Sequence, residues 1–487
     1  MLAFNKTNFD IFQVCKYLFF LICILLTIIA FKSYSGDKYI YLLFTLISNV
    51  LLYFSFRKKA IFFDAFIGVF LWLGFWLKLT IRVGFTDGIF HESVGSFDGS
   101  GPAFDRGLLV TSCGMLGLVC AALIRGYVFS YQGKKQESVT QPGIFNLYQR
   151  HRKIILILFV LFFISIALSN IYYGIYQRGQ VPLTIPPFGI GGIYKWLLLF
   201  GLASFSAIIL QFEYSIGRSN SFLAAVISLL EGFVSNVSLL SRGMILNSTS
   251  LFYGLYKNFK INLIPVNRRF FVVLTIFFSI LFISSVFVVN HLRYSGFLRN
   301  TSVNRWETTS AVHEMTIPLF VDRWVGMEGV LAVSSSHKGG WDLWKRGWQE
   351  VYSDNSTSFF DLNLVNSPYL NANTAIHHYI SLPGIIAFCF YPGSFPFLFV
   401  CLFIVGVIGA VVEIFVYRIG GKNLILCSLL AQAIAYRFAN FGYAPMQSYL
   451  IFGSLFMNLV VIYGADKLLA FIYLRDPAQR GLKSDRV

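Results

Sequence analysis

Arg242 stands alone in SLLSRGMILNSTSLF (residues 238–252), between two runs otherwise suited to lipid. A charge in such a place is costly unless it lies at the membrane edge or meets a counter-charge. Arg437, in AYRFANFGYAPMQ (435–447), also has uncharged sequence for several residues on both sides. Arg178 and Arg323 are two further guanidinium groups on the same expected face, Arg323 directly after Asp322. A planar guanidinium pairs bidentately with phosphate oxygens, so such arginines can converge on a diphosphate. Alternatively, each reaches a lipid headgroup or a local carboxylate. His377 and His378 supply the other chemistry, since a histidine at a cavity mouth can take a proton from a hydroxyl near neutral pH. Neighbouring positions on a helix point in different directions, so at most one of the two faces a shared cavity. A solvated or helix-capping histidine is the competing reading.

Other residues are less sharply marked. Glu307, Glu314, Asp322 and Glu328 can each act as a base, and spacing singles out none of them. Glu328 and Tyr443 are taken as substrate contacts. Trp341, Trp344 and Trp348 fall at i, i+3 and i+7, which puts them on one helical face. Such a face stacks on sugar rings or packs at a membrane interface, and interface packing has the larger claim. Asp64, Glu231, Glu413 and Asp466 lie in apolar runs, either as a proton path or as hydrogen-bonding links between helices. The chain has no P-loop, no Gly-rich dinucleotide fingerprint, no His/Cys metal spacing and no D-x-D triplet. Metal-free, cofactor-free chemistry is the expectation, because hard cations want paired oxygen ligands.

These residues are carried by a strongly apolar chain. Of 487 residues, 56% are hydrophobic and 13% charged, where soluble domains carry about 25% charged residues. The net charge of +17 sits in short clusters between apolar runs, which points to cytoplasmic anchoring and not to nucleic acid. The seven cysteines lie in or beside apolar runs and read as small core residues. The first apolar run lacks a convincing cleavage site and reads as a retained span. A helix needs about 20 mostly apolar residues to cross. By that measure spans are expected at 17–31, 39–56, 60–78, 107–124, 153–172, 193–211, 220–239, 243–256, 270–289, 395–417, 423–440 and 446–470. The fold class is therefore an all-α polytopic membrane protein with about twelve transmembrane helices, within a range of eleven to fourteen. Residues 1–289 form an N-terminal bundle, 290–394 one large loop domain, and 395–487 the last spans and a tail.

Charge sets the orientation. With the N-terminus inside, 22 of the 39 Lys and Arg fall in inner segments and six in the short outer ones, and long loops barely count. This rule holds only if HHYISLPGIIAFCFYPG (377–393) stays outside the bilayer, as a horizontal or re-entrant segment. Arg178, Arg242, Arg323, Arg437 and the two histidines then share the outer face.

In this layout the chain resembles Wzy-type O-antigen or oligosaccharide repeat-unit polymerases. The resemblance rests on the span number, the long outer loop near two-thirds of the chain, and SRG (241–243) opening a span. It rests also on the Arg-x10-Gly spacing of Arg178 and Gly189. HHYISLPGIIAFCFYPGSF (377–395) is similar to the His-led segment that these polymerases share with O-antigen ligases, with His378 where that segment usually has Asn. What the resemblance implies is a GT-C glycosyltransferase of the bacterial inner membrane, facing the periplasm. It implies a growing glycan on undecaprenyl diphosphate as donor and a lipid-linked repeat unit as acceptor. A chain-length regulator of the polysaccharide co-polymerase type is the implied partner. Arg242 and Arg437 would steady the leaving diphosphate, Arg178 or Arg323 would guide glycan or lipid, and His377 or His378 would accept the proton with inversion at the anomeric carbon. The alternatives are a ligase acting on a lipid A core, a transporter or flippase of lipid-linked sugars, and a non-catalytic assembly subunit.

Overall fold

Every expected span coincides with a helix. A backbone in hydrocarbon must satisfy its polar groups internally, and a helix does so within one segment. The twelve helices are α1 (Ile11–Ser33), α2 (Lys38–Phe56), α3 (Phe62–Phe85), α4 (Gly101–Val128), α5 (Pro142–Tyr173), α6 (Ile190–Ser215), α7 (Ser221–Ser238), α8 (Leu246–Ile261), α9 (Arg268–Leu298), α10 (Phe395–Ile419), α11 (Leu424–Ala439) and α12 (Tyr449–Arg475). Nine of these are long and apolar enough to cross a membrane, while α7, α8 and α11 are shorter. The chain is thus an all-helical, polytopic membrane protein. The computed structural model describes residues 11–90, 92–131, 141–178, 180–216, 221–241, 243, 246–261, 268–298, 319–351, 357–365 and 380–475.

Two distinct ends result. At one end the α2–α3 turn is tied down by its neighbours. Arg57 donates to the Ala122 carbonyl, Arg125 pairs with Asp64, and Lys257 Nζ donates to the Ala60 carbonyl at 2.8 Å. Glu413 accepts the N–H groups of Phe62 and Phe63 at 2.9 and 2.7 Å and the Tyr131 hydroxyl at 2.6 Å. A carboxylate from α10 thereby caps the positive end of α3. Asp466 does the same for α5, accepting from Gly143 and Ile144 at 2.9 and 3.2 Å. Glu231 accepts from Ser235 within α7. The four carboxylates in apolar runs are therefore all hydrogen-bonded, three of them between helices.

The middle of the bundle is α11, buried on nearly every face and packed against α3, α6 and α8. Gly254 of α8 permits this contact, since a Cβ there would stand 2.8 Å from Ile425 Cα. By contrast α1, α5, α9 and α12 leave apolar side chains such as Phe20, Leu161, Ile276 and Met457 exposed. Such a belt is a liability in water and a requirement in lipid.

The other end carries the described parts of the large loop, with short helices at Met327–Ser334, Trp341–Trp348, Phe359–Asn363 and Ile385–Cys389. The last belongs to the stretch expected as a horizontal or re-entrant segment. Five helical residues rise only about 7.5 Å, too little to cross. All five are buried, and Gly384 before them packs on Val325 and Ala439. The segment is therefore inserted among protein elements and does not lie open on an interface, because its apolar run finds helix partners. The tryptophan stripe also packs. Trp341 and Trp344 meet Phe397 at 4.8 and 5.5 Å, and Trp348 meets Phe388 at 5.9 Å.

Candidate functional site

The site is built from α3 outward. Residues Trp72–Leu77 form a π-helical turn, a widening that disturbs the regular helix and often marks functional places. The widened turn carries Gly74 against the loop chain, where a Cβ would stand 2.3 Å from the Val325 carbonyl oxygen. Gly326 reciprocates, 2.3 Å from the Gly74 carbonyl oxygen on the same construction. One turn further on, Lys78 Nζ donates to both Glu328 oxygens at 2.7 and 3.0 Å and to the Asp322 carbonyl at 3.0 Å. Arg82 closes a two-point pair on the Asp322 carboxylate. Glu328, expected as a substrate contact, is placed inside the protein. Its side chain and that of Lys78 are 9% and 1% exposed, and its charge is met by Lys78.

This clamp fixes the residue between its jaws. Arg323 follows Asp322 directly and lies over the Trp324 ring at 5.9 Å. Trp324 stacks on Phe70 at 6.0 Å, and Phe70 meets Tyr436 edge-on at 5.7 Å. Gly243 completes the contact. A Cβ on it would stand 3.0 Å from Arg323 Nη2 and 3.2 Å from Tyr436 Oη. Arg242 itself lies outside the described residues, as do His377, His378, Glu307 and Glu314. The backbone beside Arg242 nevertheless rests on Arg323 and on the residue before Arg437.

Arg437 is half-buried near the end of α11. Its Nη2 donates to the Tyr443 carbonyl at 3.3 Å and to Ser448 Oγ at 3.0 Å, and the guanidinium lies 5.7 Å from the Phe441 ring. Among the described residues no carboxylate lies within ion-pair distance of it. A guanidinium held by neutral acceptors keeps its charge available to an anion. Tyr443 contributes through its carbonyl, within the 440–448 loop that Arg437 supports.

That loop is gripped from above. Gly442 takes a φ of +116°, and a Cβ there would stand 2.3 Å from Pro383 Cγ. Gly384 N–H donates to the Phe441 carbonyl at 3.0 Å, and Ala444, at φ 41°, donates to Glu350 Oε2 at 3.1 Å. Glu350 also accepts the Phe359 N–H. Burial pushes the Glu350 carboxyl above its ordinary value, with the Asp361 charge adding to the shift and its two N–H donors opposing it. Asp361 accepts from Ser358 at 2.7 Å and from Ser381 N–H at 3.0 Å. The chain shortly after the histidine pair is thereby tied to the Arg437 loop through Gly384 and to the Phe359–Asn363 helix through Ser381.

Arg178 reaches the same end by another route. Its N–H donates to the Leu239 carbonyl at 2.9 Å, and its carbonyl accepts from Arg293 at 3.0 Å. Arg293 Nε also donates to the Leu240 carbonyl at 2.9 Å. Asn170 bonds the backbone of both Tyr176 and Ser238. The 176–178 segment is thus stitched to the 238–241 turn that leads into Arg242.

Arg323 and Tyr436 thus meet at Gly243, Arg437 follows Tyr436 in α11, and the Arg178 backbone is bonded to the turn that precedes position 242. Among the described residues no group of three or more His, Cys, Asp or Glu side chains is arranged to hold a metal ion. A small cavity beside Asp64, lined by Leu51, Ser55 and Ala122, lies at the other end of α3 and away from this chemistry. The Lys78/Arg82 clamp is missed from sequence because it joins residues some 240 positions apart. Its one local signal is a pair of cations at i, i+4 on an apolar helix. Compared with known proteins, the chain has no match among family models, among curated proteins or among solved structures.

Proposed function

We propose that the chain is a GT-C-like membrane glycosyltransferase with twelve spans, which joins lipid-diphosphate-linked oligosaccharide repeat units on the outer face of the bacterial inner membrane. The observation that carries this reading is the contact of Gly243 with Arg323 and Tyr436, beside a half-buried Arg437 whose acceptors among the described residues are neutral. In the proposed reaction the acceptor hydroxyl oxygen attacks the anomeric carbon of the donor glycan. The bond from that carbon to the phosphate oxygen breaks, and its electrons leave with the lipid diphosphate. Fixed guanidinium groups in a water-poor site are worth most where such charge develops. Arg242 and Arg323 flank the departing diphosphate, and Arg437 steadies it from the α11 side. His377 or His378 takes the hydroxyl proton, and the anomeric configuration inverts.

The reading gives Arg323 a larger part than its sequence context did, because the clamp from Lys78 and Arg82 presents it to Gly243. The same geometry accounts for an anion site without assigning the second substrate. A strain lacking the gene distinguishes polymerase from ligase, since loss of polymerase leaves single-unit caps and loss of ligase leaves none. The direct test is Arg323→Ala, assayed for polymer ladders at normal expression. Loss of the ladder is expected, and a normal ladder refutes the assignment.

A further inference from the structure

The turn between α5 and α6 presents apolar side chains outward in a way the proposed reaction does not use. Leu183, Ile185 and Phe188 are 81%, 88% and 98% exposed, with Ile190 and Ile193 partly exposed behind them. The turn is nonetheless built. Leu183 N–H donates to the Gly174 carbonyl at 3.0 Å, Ile190 N–H donates to the Pro187 carbonyl at 3.3 Å, and Pro182, Pro186 and Pro187 restrict the backbone. An ordered, apolar, outward-facing turn calls for an occupant.

Two observations identify it. The patch continues an outward strip of α5, where Leu168, Ile171, Tyr172 and Tyr173 are also exposed, and that helix is long and apolar enough to cross a membrane. Charge agrees, because residues 138–212 hold no Asp or Glu, while Arg178 and Lys195 flank the turn and Lys195 lies over the Tyr176 ring at 5.2 Å. Aromatic rings with nearby cations are the usual furniture of the headgroup layer.

We propose that residues 183–188 are immersed in the leaflet adjoining the candidate site, with Leu183, Ile185 and Phe188 among the upper acyl chains and Arg178 and Lys195 at phosphate depth. The occupant is bilayer phospholipid. The inference goes beyond the glycosyltransferase reading and stands whether or not that reading holds. Its consequence is positional, since it sets Arg178, and through the Arg178–Leu239 bond the turn before Arg242, at the level of phosphate groups.

The test replaces Phe188 with the photoreactive benzoylphenylalanine and reconstitutes the full chain in nanodiscs of phosphatidylethanolamine and phosphatidylglycerol. Ile171 on α5 serves as the lipid-facing control and Asp98, on a polar exposed turn, as the other. After irradiation, intact-mass analysis is expected to show phospholipid adducts at 188 comparable to those at 171 and at least tenfold above those at 98. Adducts at 188 no higher than at 98, or adducts joining two copies of the chain, would overturn the proposal.

Discussion

Gly243→Ala is a small change aimed at the contact on which the proposed chemistry depends. The added methyl would stand 3.0 Å from Arg323 Nη2 and 3.2 Å from Tyr436 Oη, so these atoms must give way by a few tenths of an ångström. Both are ends of side chains, and the surrounding helices need not move. Misplacing a reacting group by 1 Å can lower a rate about 10²-fold. A few tenths should then lower turnover about three- to tenfold, near 0.7–1.4 kcal/mol in activation free energy. The assay is turnover of purified protein on lipid-linked repeats, with the melting temperature measured on the same sample. Tyr436→Phe removes one of the two crowded atoms, and in the double variant part of the loss should return. Undiminished turnover at an unchanged melting temperature would refute the reasoning.

Three further outcomes are expected. Lys78→Met leaves Glu328 charged and buried, which should destabilise the protein by about 3–5 kcal/mol, whereas Lys78→Met with Glu328→Leu should recover most of it; thermal unfolding in detergent checks both. Glu350 has a carboxyl raised above its ordinary value of 4.5, so its favourable contribution is full below that value and is lost as pH rises through the shifted one. Relative to Glu350→Gln, the wild type should therefore lose melting temperature as pH is raised from about 4 to 8, and parallel curves would contradict this. Asp466→Ala removes the acceptor for two N–H groups at the start of α5 and should cost about 1–2 kcal/mol, read as faster amide exchange at Gly143 and Ile144.

The helices were legible because lipid demands long apolar segments, and all twelve runs became helices even where α8 is short and carries Lys257 and Lys260. The clustering of cations between apolar runs was legible too, and against it Arg242 and Arg437 stand out because no charge neighbours them in sequence. What sequence could not give was distance along the chain turned into contact. Arg323 meets Gly243 beside a π-helical turn that sets Gly74 against Gly326, and no local periodicity announces such a turn. Asp64 and Glu413 look alike in sequence as charges in apolar runs, yet one pairs with Arg125 and the other caps α3, a difference set by which helix packs beside them. The pairing of Glu328 is hidden for the same reason, because its partner Lys78 lies 250 residues away. The inward packing of Ile385–Cys389 followed from neighbours that an apolar run cannot name.

The central claim is that guanidinium groups on one face grip a lipid-borne diphosphate as it departs. It is tested most directly by binding of undecaprenyl diphosphate to the purified chain in nanodiscs, compared with Arg242→Ala and Arg323→Ala at matched folded fraction. The account predicts that each variant weakens binding at least tenfold, about 1.4 kcal/mol, and that added inorganic diphosphate competes in the wild type. Equal affinity in all three proteins would contradict it.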